Sequence, residues 1–195
     1  KVLKGSRMQE EAEQYGIVHK EREPYEVLST RWLSYSEILK LKMTEDMVEV
    51  YYNSGQFGHT LTYLLPYFSD SFSFYEKLGE FYEEKGYSEI SHSRMRRYEI
   101  LLEFLSEETE IQAKEAAEYM LYDLYLRERL KKRPSFAPDQ KPYEKAVWDY
   151  RKAHHIPKTA HIEVFKENRV VLFDYENRDP LSNNANATEI DLSDR

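Results

Sequence analysis

One apolar stretch, residues 110–132, constrains the fold of this chain more than any other part of the sequence. Its second half carries aliphatic or aromatic side chains on nearly every side of a helix, and a helix that is hydrophobic all round is normally buried. Asp123 and Arg127 interrupt that surface at i,i+4 spacing, which places both on one face. The pattern therefore predicts a central buried helix around which the rest of the chain packs, with an Asp123–Arg127 ion pair that fixes its rotation.

Composition and charge limit the class of protein. Of the 195 residues, 41% are hydrophobic and 33% are charged, as in a folded globular domain. No apolar run approaches the roughly 20 residues that a membrane span requires, and the net charge of −8 argues against non-specific binding of nucleic acid. The chain has no cysteine, which excludes disulfides and thiolate-ligated metal sites within it. We therefore expect a cytoplasmic protein with no nucleic-acid partner and no membrane partner.

Helical patterns dominate the predicted elements. Ser34 and Glu37 form a capping box that marks the start of a helix. The β-rich runs at residues 161–165 and 170–173 predict a hairpin, whereas residues 174–187 are polar and show no periodicity. The fold class is therefore mainly α, a helical bundle-like domain with a small C-terminal β-hairpin, α+β overall. Besides the helix at residues 110–132, helices are predicted at residues 9–15, 35–53, 57–68, 74–85, 91–106 and 143–154.

The basic cluster at residues 91–98 provides two candidate binding residues, Arg94 and Arg97. Positive charge at a helix start opposes the helix dipole unless an anion or a carboxylate lies near. The functional interpretation is a phosphate or carboxylate site, and the alternative is pairing with acidic neighbours in a chain with 36 Asp and Glu residues. The same choice applies to Asp123 and Arg127, which form either a satisfied internal pair or the edge of a site. In both cases we favour the structural pairing.

Two further segments contribute candidate residues. Tyr51 and Tyr52 precede an Asn-Ser-Gly helix terminator, where packing is the favoured role and contact with a substrate the alternative. Asp174 and Arg178 follow a buried-looking strand, a position where sites often lie, and tying down the polar tail is their alternative role. The complete set of candidate substrate-binding residues is Tyr51, Tyr52, Arg94, Arg97, Asp123, Arg127, Asp174 and Arg178.

The sequence contains no recognisable catalytic motif. A P-loop, a glycine-rich dinucleotide-binding motif, a zinc-protease motif and a nucleophile elbow are all absent from it. The six histidines are not paired with other ligands at metal-binding spacing, and we interpret them as helix-end or surface residues. We therefore predict no catalytic, cofactor-binding or metal-binding residue within this chain.

Several segments spread over nearly the whole chain share a family pattern. They are KVLKGSRM, YEVLSTRWLSYSEI, MVEVYYNSGQF, HSRMRRYEILLEF, YDLYLRERLKKRPSFAPD and LFDYENRDPLSNNA. The first resembles the last barrel strand and turn of radical S-adenosylmethionine enzymes, where an L-K-G-[ST]-x-[ML]-like segment is common. Together the segments resemble the C-terminal domain of unknown function of cobalamin-binding radical S-adenosylmethionine (radical SAM) proteins.

The resemblance implies that this chain is the C-terminal piece of a longer bacterial protein. A cobalamin-binding domain and a barrel with a CxxxCxxC cluster motif would lie upstream, and that radical SAM barrel is the implied partner. The parent protein would use an iron–sulfur cluster, S-adenosylmethionine and cobalamin, none of them bound by this chain. Residues 1–16 would then be the end of the barrel, with a leftover N-terminal strand at residues 1–4 that is disordered or paired non-natively. Residues 17–160 would form the helical domain, and residues 161–195 a hairpin and polar tail packed on it.

Two functions are compatible with these patterns. The first is a non-catalytic accessory domain of a radical enzyme, which covers the barrel mouth and helps to bind an unknown small-molecule or peptide substrate. The second is an interaction module that binds a protein or a peptide through a surface rich in the chain's 17 tyrosines. No nucleophile or metal constellation supports an independent hydrolase or transferase, and we favour the accessory domain.

Overall fold

The computed structural model describes residues 1–194, and Arg195 lies outside the described residues. The chain forms two compact units. The first unit consists of Lys1–Val50 and Ser71–Ile90, and the second consists of Tyr51–Asp70 and the described part of Ser91–Arg195. The boundaries predicted after residues 16 and 160 stay a prediction.

Helices dominate the described residues, and the strands form two small antiparallel sheets, so the predicted fold class is confirmed. A π-helix follows α2, and short 3-10 turns follow α3, precede α7 and connect β3 to β4. In chain order the elements are α1 (Arg7–Glu10), β1 (Val18–His19), β2 (Val27–Ser29), α2 (Tyr35–Met47), the π-helix (Val48–Asn53), α3 (Gly58–Leu64), α4 (Ser71–Glu84), α5 (Arg94–Glu108), α6 (Ala113–Arg127), α7 (Glu144–Ala153), β3 (His161–Val164), β4 (Val170–Asp174) and β5 (Asn186–Ile190).

The first unit is built on the packing of α2 against α4. The predicted capping box is formed at the start of α2, where the Ser34 hydroxyl accepts a hydrogen bond from the Glu37 N–H and the Glu37 carboxylate accepts one from the Ser34 N–H. Further along, Gly79 of α4 faces Met43 of α2 so closely that a Cβ atom on the glycine would lie 2.8 Å from Met43 Cγ. The two helices can therefore pack this closely because Gly79 has no side chain.

The N-terminal residues join the first unit without forming a strand. The prediction of a strand at residues 1–4 was wrong. So short a segment forms a strand only when it pairs with the edge of a sheet, and residues 1–4 do not. Val2 is instead buried, at 1% exposure, and its N–H donates to the Tyr25 carbonyl at 2.8 Å. Nearby, hydrogen bonds from Lys20 and Lys42 lower the pKa of Glu26 to about 2.

α6 is the centre of the second unit, as its apolar pattern predicts. Met120, Leu121 and Leu124 are completely buried, and the helix packs against α3 and α5. Leu121 and Tyr125 also enter a hydrophobic cluster with Phe173 of β4, which connects the helix to the sheet. The element therefore buries its surface on several sides, as a helix that is hydrophobic all round requires.

The end of α6 differs from the prediction. The helix stops at Arg127 and does not continue to residue 132, because donors from the C-terminal segment take its last carbonyl groups. The Ala185 N–H donates to the Leu126 carbonyl at 2.7 Å, and the Tyr175 hydroxyl donates to the Tyr125 carbonyl at 2.7 Å. Contacts from far along the chain thus terminate the helix, and sequence periodicity does not contain that information.

The second unit also holds the larger sheet, in the order β3-β4-β5. The predicted hairpin is confirmed, with Val164 opposite Val170. β5 pairs with the other side of β4, so that Ile190 lies opposite Val170. This third strand falls largely beyond the polar segment 174–187 and was not predicted, because none of its residues is fully buried and no apolar run marks it.

The free edge of β3 is covered by a side chain. Gln140 donates from Nε2 to the Val164 carbonyl at 2.8 Å and accepts the Val164 N–H through Oε1 at 3.0 Å. One residue before this contact, Glu163 is completely buried, and its carboxylate receives Arg133 Nη1 at 2.9 Å and His161 Nε2 at 2.9 Å. The buried charge is therefore paired, as burial of a carboxylate demands.

Candidate functional site

A cavity of about 410 Å³ opens in the second unit, a size within the range of small-molecule sites. It lies between α3, α6 and the segment that connects β3 to β4. Aromatic rings and charged groups of both signs share its walls. The lining residues are His59 and Tyr63 from α3, Glu115, Glu118, Tyr119 and Tyr122 from α6, and Phe165, Lys166, Glu167 and Arg169 from the connecting segment.

Asp123 lies behind this cavity and holds the start of α3. Its Oδ1 atom accepts the His59 N–H at 3.1 Å, and its Oδ2 atom accepts the Thr60 N–H at 2.8 Å and the Thr60 hydroxyl at 2.7 Å. The N-cap residue of α3, Phe57, makes no side-chain cap of its own. Asp123 therefore acts as a long-range cap that satisfies the first N–H groups of the helix.

The same carboxylate orients the imidazole of His59. His59 Nδ1 lies 2.8 Å from Asp123 Oδ1, and the ring packs edge-on against Tyr122 with centroids 4.6 Å apart. Because the carboxylate already accepts three other hydrogen bonds, Nδ1 carries the proton of the fourth. In the neutral imidazole Nε2 is then the acceptor nitrogen, and it has no hydrogen-bond partner within residues 1–194. The His59 side chain is 54% exposed, whereas that of Asp123 is 4% exposed.

Tyrosines form a second polar group in the cavity. The Tyr67 hydroxyl donates to the Tyr63 hydroxyl at 3.3 Å, and Tyr63 donates to Glu115 Oε2 at 3.0 Å. Burial is the main cause that raises the pKa of Tyr63, helped by these hydrogen bonds. The Tyr63 ring also stacks on Tyr119, with centroids 4.4 Å apart. These contacts fix an aromatic wall with one carboxylate at its end.

Glu118 lies one helical turn beyond Glu115 and faces the connecting segment. Its Oε1 atom accepts the Lys166 N–H at 3.1 Å, and burial raises the pKa of the carboxyl group. On the other side of the cavity, the Arg169 guanidinium lies over the rings of Tyr122 and Phe165, 5.3 and 5.2 Å from their centroids. The cavity thus has two carboxylates on its α6 side, whereas the connecting segment contributes the cations Lys166 and Arg169 and the carboxylate Glu167.

The predicted Asp123–Arg127 ion pair is not formed. Arg127 turns away from Asp123, and its Nη1 atom donates to the Ser182 carbonyl at 2.6 Å and to Asn184 Oδ1 at 3.1 Å. Helix spacing permitted the pair, but the uncapped start of α3 offered Asp123 more donors and the C-terminal segment offered Arg127 uncharged acceptors. Asp123 keeps a place at the cavity through His59, and Arg127 is tied to the polar segment.

The other predicted residues lie outside the cavity walls. Tyr51 is completely buried and its hydroxyl donates to the Arg97 carbonyl at 3.0 Å, which is a packing role. Tyr52 is 62% exposed. Arg94 pairs with Glu128 at 2.9 Å, which is the kind of contact with an acidic neighbour that its structural interpretation expects.

Asp174 and Arg178 both stabilise the segment after β4. Asp174 accepts hydrogen bonds from the Glu176 N–H at 2.8 Å and from Asn177 Nδ2 at 2.7 Å, and the Asn177 contact is the main cause that lowers the pKa of Asp174. Arg178 donates to the Asn183 carbonyl at 2.7 Å and to the Arg127 carbonyl at 3.2 Å. Their observed contacts are those of residues that tie down the polar segment.

None of the residues that line the cavity was among the candidates predicted from the sequence, and His59 is the one for which the sequence carries a signal. The available signal was the lack of a capping side chain at Phe57, just before His59 and Thr60, together with a carboxylate on a helix predicted to be buried. A helix start without a cap and a buried acid without donors each need a partner. The start of α3 and Asp123 lie more than 60 residues apart along the chain, so the sequence does not show that each is the partner of the other.

Residues 1–194 contain no cluster of three or more histidine, cysteine, aspartate or glutamate side chains placed to hold a metal ion. No helix within that range is both long and apolar enough to cross a membrane.

Comparison with known proteins gives one result. Neither the curated proteins nor the solved structures include a significant match to this chain. The family described as "Protein of unknown function (DUF4080)" matches residues 13–183, which is most of the sequence. The chain therefore belongs to the DUF4080 family of proteins of unknown function.

Proposed function

We propose that the chain is an accessory domain of a larger radical enzyme and that the cavity of its second unit binds part of the substrate. The observation that carries this proposal is the cavity of about 410 Å³, with aromatic walls and a few placed polar groups, which is the usual composition of a small-molecule site. The radical-enzyme part rests on the resemblance to cobalamin-binding radical SAM proteins, which extends over nearly the whole chain.

The cofactors that this proposal implies all belong to the parent protein and none to this chain. The chain has no cysteine, so its residues do not fit an iron–sulfur cluster ligated by thiolates. The proposal places the cluster, S-adenosylmethionine and cobalamin in upstream domains. This chain's own residues then bind and orient a substrate and exclude water from it.

A binding measurement tests the cavity. We expect Tyr119→Ala to weaken the binding of small polar molecules, found by an NMR screen of the 195-residue chain, by about tenfold, because the ring forms one wall of the cavity. Tyr52→Ala is the matched control, since Tyr52 is also an exposed tyrosine but lies outside the cavity. Ligands that shift the amide signals of residues 165–169 support the proposal. A screen without such ligands contradicts it and favours the alternative of a protein- or peptide-binding module.

The radical-enzyme part has its own test. The pure chain should neither take up an iron–sulfur cluster nor cleave S-adenosylmethionine. The full-length parent, reconstituted with its cluster and cobalamin, should cleave it, and removal of the present chain should abolish substrate turnover while leaving uncoupled cleavage. Cluster uptake or cleavage by the isolated chain would overturn this assignment.

A further inference from the structure

We propose that the cavity recognises a primary ammonium group, which donates hydrogen bonds to His59 Nε2 and to the carboxylates of Glu115 and Glu118. This inference rests on the proposed ligand-binding role of the cavity and adds the chemical class of the ligand. It is carried by hydrogen-bond acceptors on the α3 and α6 side of the cavity that no donor within residues 1–194 satisfies.

The two carboxylates face the cavity with unused acceptor capacity. Glu115 and Glu118 are spaced i,i+3 on α6 and so lie on one face of the helix. Each uses one oxygen on a neighbouring protein donor, Tyr63 for Glu115 and the Lys166 N–H for Glu118. Within residues 1–194 the second oxygen of each has no donor, and neither carboxylate lies within 4.0 Å of a cationic nitrogen, the limit for an ion pair. A ligand that brings hydrogen-bond donors and a positive charge fits this side of the cavity.

His59 adds a third acceptor. Asp123 holds the proton on Nδ1, which leaves the Nε2 lone pair toward the cavity. Asp123 is itself fixed by the start of α3, so the imidazole is held in one orientation before any ligand arrives. An ammonium group carries three N–H donors, which equals the number of acceptor groups on this wall.

The aromatic rings provide the remaining surface. Tyr119 and Tyr122 lie on the same helix as the two carboxylates and border the cavity. Electron-rich ring faces attract cations such as a desolvated ammonium group. The Arg169 guanidinium already occupies one face of Tyr122, and its Nε atom also lies 3.7 Å from Glu189 Oε1, an acidic partner outside α6.

Three probes with the same ring separate the possible ligand charges. Benzylamine, benzyl alcohol and benzoate should be titrated into the ¹⁵N-labelled chain and followed by chemical-shift changes at residues 115–122 and 165–169. We expect benzylamine to bind at least about tenfold more tightly than benzyl alcohol, since charge-assisted hydrogen bonds are worth roughly twice neutral ones. Preferential binding of benzoate would show that Lys166 and Arg169 set the selectivity and would overturn the inference.

His59→Asn isolates the role of Nε2. The asparagine Nδ2 atom can replace Nδ1 in the hydrogen bond to Asp123, whereas nothing replaces Nε2. We expect benzylamine affinity to fall about tenfold with an unchanged unfolding midpoint. His19→Asn in the first unit is the control and should leave the affinity unchanged. Unaltered benzylamine affinity in His59→Asn would exclude His59 from the site.

The unaltered protein provides an independent measurement. Long-range ¹H–¹⁵N correlation spectra should show His59 with its proton on Nδ1, the less common tautomer of a free imidazole. A proton on Nε2 would remove the acceptor and contradict the inference even if the variants failed to fold.

If benzylamine, benzyl alcohol and benzoate all leave the cavity signals unshifted, the ammonium inference is overturned. The broader screen decides the binding role separately, because ligands of other classes found there would preserve it.

Discussion

At the scale of single residues, Asp123 shows how a distant partner outcompetes a local one. The i,i+4 spacing placed Arg127 within reach, and a sequence argument has no reason to look further. In the structure the carboxylate takes four hydrogen bonds from His59 and Thr60, more than 60 residues away. Backbone N–H groups at an uncapped helix start cannot be left unsatisfied, whereas a flexible arginine near the surface finds other acceptors.

Replacing this carboxylate should cost stability. We expect Asp123→Ala to lower the free energy of unfolding by about 3 kcal/mol, because it removes a helix cap worth about 1 kcal/mol and leaves buried donors unsatisfied at about 1–3 kcal/mol. Urea denaturation followed by circular dichroism measures the change. Thr60→Val removes only the hydroxyl bond and should cost about 1 kcal/mol. Equal costs for the two variants would refute the long-range cap.

Replacing the carboxylate of Glu118 should have the opposite effect and increase stability. Burial raises its pKa above the ordinary value of 4.5, so the folded state favours the protonated form. Its charge therefore costs no stability below the unfolded pKa, and a cost appears as the pH rises through the folded pKa. We expect Glu118→Gln, which keeps an oxygen for the Lys166 N–H, to raise the unfolding midpoint at pH 7.

A pH series checks the origin of that gain. The difference between Glu118→Gln and the unaltered chain should shrink as the pH falls below about 4, where the native carboxyl group becomes neutral as well. Glu189→Gln, at a carboxylate whose side chain is 69% exposed, is the control and should show a smaller gain at pH 7. A gain for Glu118→Gln that is independent of pH would indicate a cause other than charge burial.

At the scale of elements, the contact between α2 and α4 depends on one absent side chain. A Cβ atom at Gly79 would lie 2.8 Å from Met43 Cγ and 3.3 Å from the Met43 carbonyl oxygen, and the backbone atom cannot move away as a side chain can. We expect Gly79→Ala to destabilise the chain by about 1–3 kcal/mol through overpacking, despite the better helix propensity of alanine. Thermal unfolding followed by circular dichroism measures the effect.

Gly58 provides the matched control for that substitution. It opens α3, and a Cβ atom there would meet no neighbour within 4 Å. Gly58→Ala should therefore be neutral or stabilising by about 0.5–1 kcal/mol. If both alanine variants behaved alike, the close approach of α2 and α4 would not be the reason for the glycine.

Element prediction succeeded where the signal is local. The capping box of Ser34 and Glu37, the apolar surface of α6 and the β-rich runs around residue 167 are all read from neighbouring residues, and all three are present. The end of α6 and the existence of β5 were missed. Both depend on pairing with distant segments, the first through Ala185 and the second through β4. Pairing between distant segments becomes visible only when the chain is folded, and no local sequence pattern marks it.

At the scale of the whole molecule, the candidate site is less predictable than the fold. The tyrosine content was compatible with a binding surface, but the residues proposed for the site are spread over packing, capping and tail contacts. The cavity is made by α3, α6 and the segment between β3 and β4, whose lining residues extend from His59 to Arg169. Within residues 1–194, Asp123 links the two sets through its hydrogen bonds to His59. No local sequence pattern indicates that these elements meet, because they are distant from one another along the chain.

The side chain of Gln140 has a consequence for how copies of this chain meet in solution. A primary amide has the same donor and acceptor pair as a peptide group, so Gln140 acts on Val164 as a one-residue imitation of a neighbouring strand. An exposed strand edge is a template for pairing with another molecule, and proteins avoid aggregation by blocking it. At this position the block is a single side chain, which protects the edge of β3 without adding a fourth strand.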